Sequence, residues 1–266
     1  MSGDEAIVLV ASGAFALLLW CAWYWRALRV RLPAQSPFGR TLLLVAPPLA
    51  LATLFLVLRT ASASDVRDDP KYLLMYTALG AAWLVLGAWW LPAAGISPRD
   101  DVLERGNDAA GIAVAAALLA VMLCYAGGNV GDGPGWWVVV FSAGLATGAL
   151  FLIWMLFEAI SGVSETVTVD RDFAAAVRLA GFLFACGAIF GRAAAGDWVS
   201  APATIMDFAV VARPVLLLLV VAAVVERFAR PTPSRPAPSI AAYGLVPALL
   251  YVGAAALHLS RLGFPA

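Results

Sequence analysis

The 266-residue chain is 63% hydrophobic and 13% charged, with 17 Lys and Arg balanced by 17 Asp and Glu and a mean hydropathy of +0.90. So apolar a surface cannot be hidden in a water-soluble core; it requires a bilayer, at roughly 20 apolar residues per helical span. No basic face with interleaved aromatics stands outside the apolar stretches, so a nucleic-acid role gets no support.

Eight apolar stretches follow in chain order, at 6–25, 41–58, 72–96, 109–127, 135–158, 173–194, 207–225 and 240–258. Their runs are continuous rather than alternating, which predicts helices and not barrel strands. The first is preceded by Asp4 and Glu5 and ends in Trp20, Trp23, Tyr24 and Trp25 before Arg26. That pattern reads as an aromatic anchor at a membrane interface and not as a cleaved signal peptide. In the second, Pro47-Pro48 is expected to kink the helix or split it. The loops are short, so the expectation is an all-α polytopic membrane protein without a soluble domain. The chain divides by eye into an N-terminal hairpin (1–71), a repeat-like module (72–200) and a C-terminal hairpin (201–266). The Pro-rich run Arg230–Pro238 is expected to be an extended connector.

Basic residues are concentrated in two loops, as Arg26, Arg29, Arg31 and Arg40, and as Arg227, Arg230 and Arg235. The positive-inside rule places these loops in the cytoplasm and both termini outside, in a membrane of the bacterial inner type. The three cysteines, Cys21, Cys124 and Cys186, fall within spans without metal or redox spacing and are expected to be buried small hydrophobes.

Two hairpins resemble each other. Each has a Gly-x-Ser start, an acidic and Arg-containing connector, a capping Asn or Asp, and an Ala-rich helix, over Gly95–Ala113 and Gly162–Val177. Asn107 or Asp108, and Asp172, are positioned to cap helix starts. Both hairpins run in the same direction, so the repeat is parallel. Residues 72–200 resemble the bacterial inner-membrane family catalogued as domain of unknown function number three-fifty. Its Ser/Thr-Pro turn and Gly-Asn-x-Ala-Ala helix start match Ser97, Pro98, Asp100 and Asp101, then Gly106, Asn107, Ala109 and Ala110. The turn is shorter than the family's, and Gly191-Arg192-Ala193-Ala194 stands near the place of its late Asn-Ala-Ala. The resemblance implies membrane architecture and no particular reaction.

Charged side chains inside spans are costly, which makes each one a candidate site. Glu158 and Arg178 are expected to meet at similar depth, either as a gating pair or as a structural one. Arg192, Asp207 and Arg213 lie near the outer face, with Pro214 opening the backbone one turn back; they form either an anionic-ligand vestibule or interface anchors. Glu226-Arg227 reads as an interfacial pair. His258, the lone histidine, has Arg261 beside it and no second metal ligand. Gly144, Gly148, Gly187 and Gly191 make small-xxx-small patterns that permit close helix approach. No HExxH, paired intramembrane Asp, Ser–His arrangement or phosphate loop is present, so no catalytic, cofactor or metal residue is nominated. The expected function is that of a non-enzymatic membrane subunit, associating through small-residue faces with itself or a membrane partner in the lipid bilayer. The alternative is a transporter or channel for a small or lipid-like substrate.

In a background lacking Cys21, Cys124 and Cys186, a cysteine at Ser36 should resist impermeant thiol reagents in intact cells, and one at Ser64 should react. The opposite labelling pattern would invert the topology.

Overall fold

The computed structural model describes residues 1–30, 36–232, 234 and 239–263. The spanning helices are α1 (Gly3–Arg29), α2 (Phe38–Thr60), α4 (Pro70–Trp90), α5 (Asp108–Gly127), α6 (Trp136–Ser161), α8 (Phe173–Ala194), a broken span of α9 (Ala201–Ala212) and α10 (Pro214–Ala229), and α11 (Val246–Leu262). Two short helices, α3 (Ser64–Asp68) and α7 (Val163–Thr168), sit in connections, and π-type turns over Pro98–Glu104 and Ile240–Leu245 precede α5 and α11. Eight helical segments are long and apolar enough to cross a membrane, and no strand occurs among the described residues. The protein is an all-α, multi-pass membrane protein. Arg31, Arg235 and most of the Pro-rich run after Pro231 lie outside the described residues.

Polar residues start these helices where the first N–H groups need acceptors. Asp69 accepts from the Lys71 amide, Asn107 from Ala109 and Ala110, Asp172 from Ala175, and Ser200 from Ala203. Successive spans alternate in direction, and the second of each successive pair joins one parallel row: α2, α5, α8, α11. Small residues allow it. A Cβ placed on Gly111 of α5 would lie 2.6 Å from Gly39 Cα of α2. One on Gly187 of α8 would lie 2.7 Å from Ala120 Cα of α5, and one on Gly181 2.6 Å from Ala248 Cα of α11. Helices from all three sequence segments therefore share the row. Exposed Leu, Val and Phe side chains cover its outside, as lipid contact demands.

The repeat is visible in the hydrogen bonds. At the connector end, Arg105 N–H donates to Asp100 O and Asn107 N–H to Asp101 O; in the second copy, Asp170 donates to Glu165 O and Asp172 to Thr166 O. At the other end, which carries both termini, Asp132 N–H donates to Asp197 Oδ1 at 2.7 Å across 65 positions. Gly131 also packs on Gly196, its counterpart at the same spacing of 65. Loop positions 65 apart thus meet just beyond the ends of α5 and α8. The units α4–α5 and α6–α8 are parallel copies placed side by side, with α4 packed on α2 and α5, and α6 on α5 and α8.

Span two differs from expectation in one respect. Pro47 and Pro48 do not split it, and α2 is continuous. Each proline removes the N–H that would reach the carbonyl four residues earlier. Those carbonyls, Leu43 O and Leu44 O, accept from Trp23 Nε1 at 3.1 Å and Tyr24 OH at 3.2 Å. Trp20 Nε1 likewise donates to Ala81 O at 3.0 Å. Three of the four aromatics at the end of α1 are therefore inward stitches; Trp25 faces out, with the Arg29 guanidinium 3.7 Å above its ring.

Gly127→Ala should lower thermal stability in detergent by about 1–3 kcal/mol or more through overpacking, because its Cβ would fall 1.9 Å from Gly191 O. Gly148→Ala, with nothing within 4 Å of the added Cβ, should be neutral. Equal effects would mean that α5 and α8 do not approach as described.

Candidate functional site

Arg178 and Glu226 are the deepest charges of the bundle, 1% and 2% exposed. Arg178 stands on the second turn of α8 and Glu226 on the last turn of α10. The guanidinium donates from Nε to Glu226 Oε2 at 2.8 Å and from Nη2 to Oε1 at 2.7 Å, a parallel fork that matches carboxylate geometry. Nη1 donates to Tyr243 O at 2.6 Å. Tyr243 lies four residues before Pro247, which has no N–H to offer that carbonyl. One side chain therefore satisfies a carboxylate and a proline-opened backbone group on two other elements.

The expected partner of Arg178 was Glu158, and here the structure corrects the sequence. The Glu158 carboxylate accepts from Ser164 N at 2.8 Å and Ser164 Oγ at 2.6 Å, closing the tight turn at Gly162. Gly162 has a left-handed φ of 60°, which lets α6 end and the short α7 fold back. The carboxylate is thereby committed within its own connection. Glu226 correspondingly does not pair with Arg227 at the surface.

The second cluster does not converge. Arg192 Nε donates to Gly263 O at 2.9 Å and ties the ends of α8 and α11. Asp207 and Arg213 are exposed and make no hydrogen bond or ion pair among the described residues. Depth can be read from neighbours: Phe208 stacks on Phe190 at 5.7 Å. Arg213, five residues further along the antiparallel α9, then lies about 7 Å deeper at 1.5 Å per residue, level with the middle of α8. His258 Nε2 lies 3.2 Å from Val211 O, beside the backbone that Pro214 opens, and Arg261 is exposed. Among the described residues no cluster of metal-ligating side chains occurs. Cys124 and Cys186 are buried as expected, whereas Cys21 is exposed on the lipid side of α1.

The motif that carried the family resemblance is a capping unit. Ser97 Oγ accepts from Asp100 N at 3.0 Å, and Asp101 takes the Ser97 amide at 2.7 Å and Arg105 Nη1 at 2.9 Å. Pro98 begins the turn, and Gly106 adopts φ 60° before the cap. Asn107 Nδ2 crosses to Val167 O at 2.8 Å and joins the two copies.

The four candidate packing glycines separate into two kinds. Gly187 and Gly191 are consumed inside the protein against Ala120 and Leu123 of α5, so they present no face to a partner. Gly144 and Gly148 line an open apolar groove of about 480 Å³ between α4 and α6. Its walls are matched pairs: Trp83 with Gly148, Leu86 with Phe151, Gly87 with Leu152 and Trp90 with Met155, each separated by the repeat spacing of 65. The groove therefore lies where the two copies meet. Its buried polar contact is Trp83 Nε1 donating to Thr147 Oγ1 at 3.0 Å.

Comparison with protein-family models, curated proteins and solved structures found no match. The sequence pointed to Arg178 through its cost in lipid but not to Glu226, since neighbouring spans are the usual partners. Pro247, which opens the Tyr243 carbonyl, was the available signal.

Replacing Arg178 by Met or Glu226 by Gln alone should cost about 3–5 kcal/mol, because one buried charge is left unpaired. Arg178→Met combined with Glu226→Leu should cost less than either. Unfolding of the three variants in detergent checks this, and simple additivity would show that the pair is not coupled.

Proposed function

We propose that the protein is a non-enzymatic subunit of a bacterial inner membrane that associates, with its own copy or with a partner, through its lipid-facing helices. Arg213 carries this reading. It stands at mid-depth, exposed and without a partner among the described residues. A charged side chain there costs at least about 2.5–3.5 kcal/mol, a cost that falls when a neighbouring chain supplies an acceptor. Asp207, exposed on the same span about two turns away, offers such an acceptor to a second copy. Gly148 gives a further face where another helix can approach closely. The resemblance of residues 72–200 to the uncharacterised inner-membrane family fits an architecture of this kind. The buried pair Arg178–Glu226 is saturated by its own bonds and supports a structural role rather than a reaction.

A second reading rests on the groove between α4 and α6. Transporter sites commonly lie at the interface of repeats near the bilayer midplane. This groove lies between the two repeats and is almost wholly apolar, which suits a lipid-like substrate.

Arg213→Leu should abolish self-association or partner co-purification while leaving thermal stability unchanged or raised, since the variant removes a charge from lipid. Gly148→Leu should weaken association without loss of folding. Subunit counting in native nanodiscs measures both. Intact assembly in both variants, with lipid movement lost in Gly148→Leu, would overturn the subunit reading in favour of transport.

A further inference from the structure

At the connector end of the bundle, independent of the subunit reading, a cavity of about 270 Å³ opens between the last turns of α1 and α4 and the turn that begins at Ser97. A second, of about 120 Å³, continues from it between α1 and α4 toward the middle of the spans. Both are lined by Trp23, Arg26, Ala88 and Trp89, so they form one crevice. From Arg26 at its mouth to Leu19 on α1 it runs about 10 Å at 1.5 Å per residue.

Local sequence shapes this crevice. Pro92 stands in the turn Leu91–Ala94 that ends α4, and the chain then folds back over the mouth as Pro98–Leu103. Ala22 on α1 and Ala88 on α4 are too small to fill the space between the two helices. The Trp23 ring is a fixed wall, because its Nε1 donates to Leu43 O at 3.1 Å.

Mouth and depth differ in chemistry. The deep part is lined by Leu19, Ala22, Val85 and Ala88, and the mouth carries Arg26, Arg99 and Asp100. Arg99 is engaged, with Nε donating to Glu104 Oε1 at 2.7 Å. Asp100 is engaged too, accepting from Ser97 Oγ at 2.9 Å. Arg26 is exposed and makes no hydrogen bond or ion pair among the described residues. Trp89 is 61% exposed, and its indole N–H has no acceptor among them either. Arg29, the next basic residue of α1, is turned onto the Trp25 ring. A guanidinium matches phosphate oxygens as a fork, and such charge-assisted bonds are the strong ones. A soluble anion would meet Arg26 and leave the apolar slot below it unfilled. An uncharged hydrocarbon would fill the slot and leave the guanidinium unmet. A lipid phosphodiester with its acyl chain meets both.

We infer that the crevice holds one phospholipid, its phosphodiester on Arg26 and one acyl chain laid between α1 and α4 against Trp23 and Trp89.

Full-length protein, stripped of lipid in detergent, should bind added palmitoyl-oleoyl phosphatidylcholine saturably, at one molecule per chain, in native mass spectrometry. Palmitoyl-oleoyl glycerol has the same chains and net charge but no phosphate. It should bind at least about tenfold more weakly, as the loss of one charged hydrogen bond implies. Arg26→Gln should erase that preference, whereas Arg29→Gln should leave it intact. Ala22→Phe, which fills the slot from a partly exposed position, should weaken both lipids. Arg26 and Ala22 both reach the protein surface, and unchanged melting of the stripped variants separates lost lipid from lost folding. Equal affinity for the two lipids, the same loss in Arg29→Gln as in Arg26→Gln, or indifference to Ala22→Phe would each overturn the inference. So would inorganic phosphate binding as tightly as the phospholipid, since the acyl chain would then add nothing.

Discussion

Inside a bilayer no bulk water completes a broken hydrogen bond, so a backbone group that a proline opens is best met by a side chain from elsewhere. Much of this protein's tertiary structure follows from that rule. Pro47 and Pro48 open two carbonyls in α2, and Trp23 and Tyr24 of α1 close them. Pro247 opens Tyr243 O, and Arg178 of α8 closes it while holding Glu226 of α10. Apolar surface alone would not orient these helices, since lipid is as apolar as their side chains. The directional bonds fix which helix lies beside which, and at what depth. Arg178 does this for three elements at once, and adds a directional bond to the close packing of Gly181 on Ala248 that already joins α8 to α11.

The centre is held differently. Between α5 and α8, close approach replaces directional bonding: Gly127, Gly187 and Gly191 remove the side chains that would hold the backbones apart. Contact dispersion at that distance is individually weak and collectively large. Because the copies stand side by side, α4 and α6 occupy corresponding places, and the groove between them has matched walls. A feature between the copies thus arises from the duplication of a hairpin, without any residue selected separately for it.

The span positions were legible because hydropathy and helix length are local: the stretch expected at 109–127 is α5, Asp108–Gly127, and that at 173–194 is α8, Phe173–Ala194. Caps were legible for the same reason, as Asn107 and Asp172 show. The repeat could be seen in its connectors, but the spacing of 65 became secure only when hydrogen bonds repeated at that register. Partners across the bundle were not legible. Glu158 and Arg178 are adjacent in span order, yet a serine six residues after Glu158 captures its carboxylate first. Sequence also gave no means of telling Gly148 from Gly187: both sit in the same pattern, and only packing shows that one is filled and the other open. Asn129 passed unnoticed because it is uncharged, and an orphaned acceptor exists only in three dimensions.

Where the two copies differ is the most informative consequence of the repeat. Asn107, which crosses to Val167 O, has Asp172 as its counterpart, and an ionised carboxylate cannot donate the return bond. Asn129 has Ala194 as its counterpart at the spacing of 65, so only the first copy carries the unsatisfied amide. Asp132 and Asp197 are the same residue at equivalent positions, yet one carboxylate caps a backbone amide and the other is left on a cavity rim. Small residues let the copies pack along α5 and α8. Of the buried polar atoms left without a partner, Asn129 Oδ1 lies in the first copy at the terminal end, and Thr166 Oγ1 in the second at the connector end, where the first copy has Asp101. Both are positions at which the copies differ, so unmatched groups accompany the divergence of the repeat and not one end of the bundle.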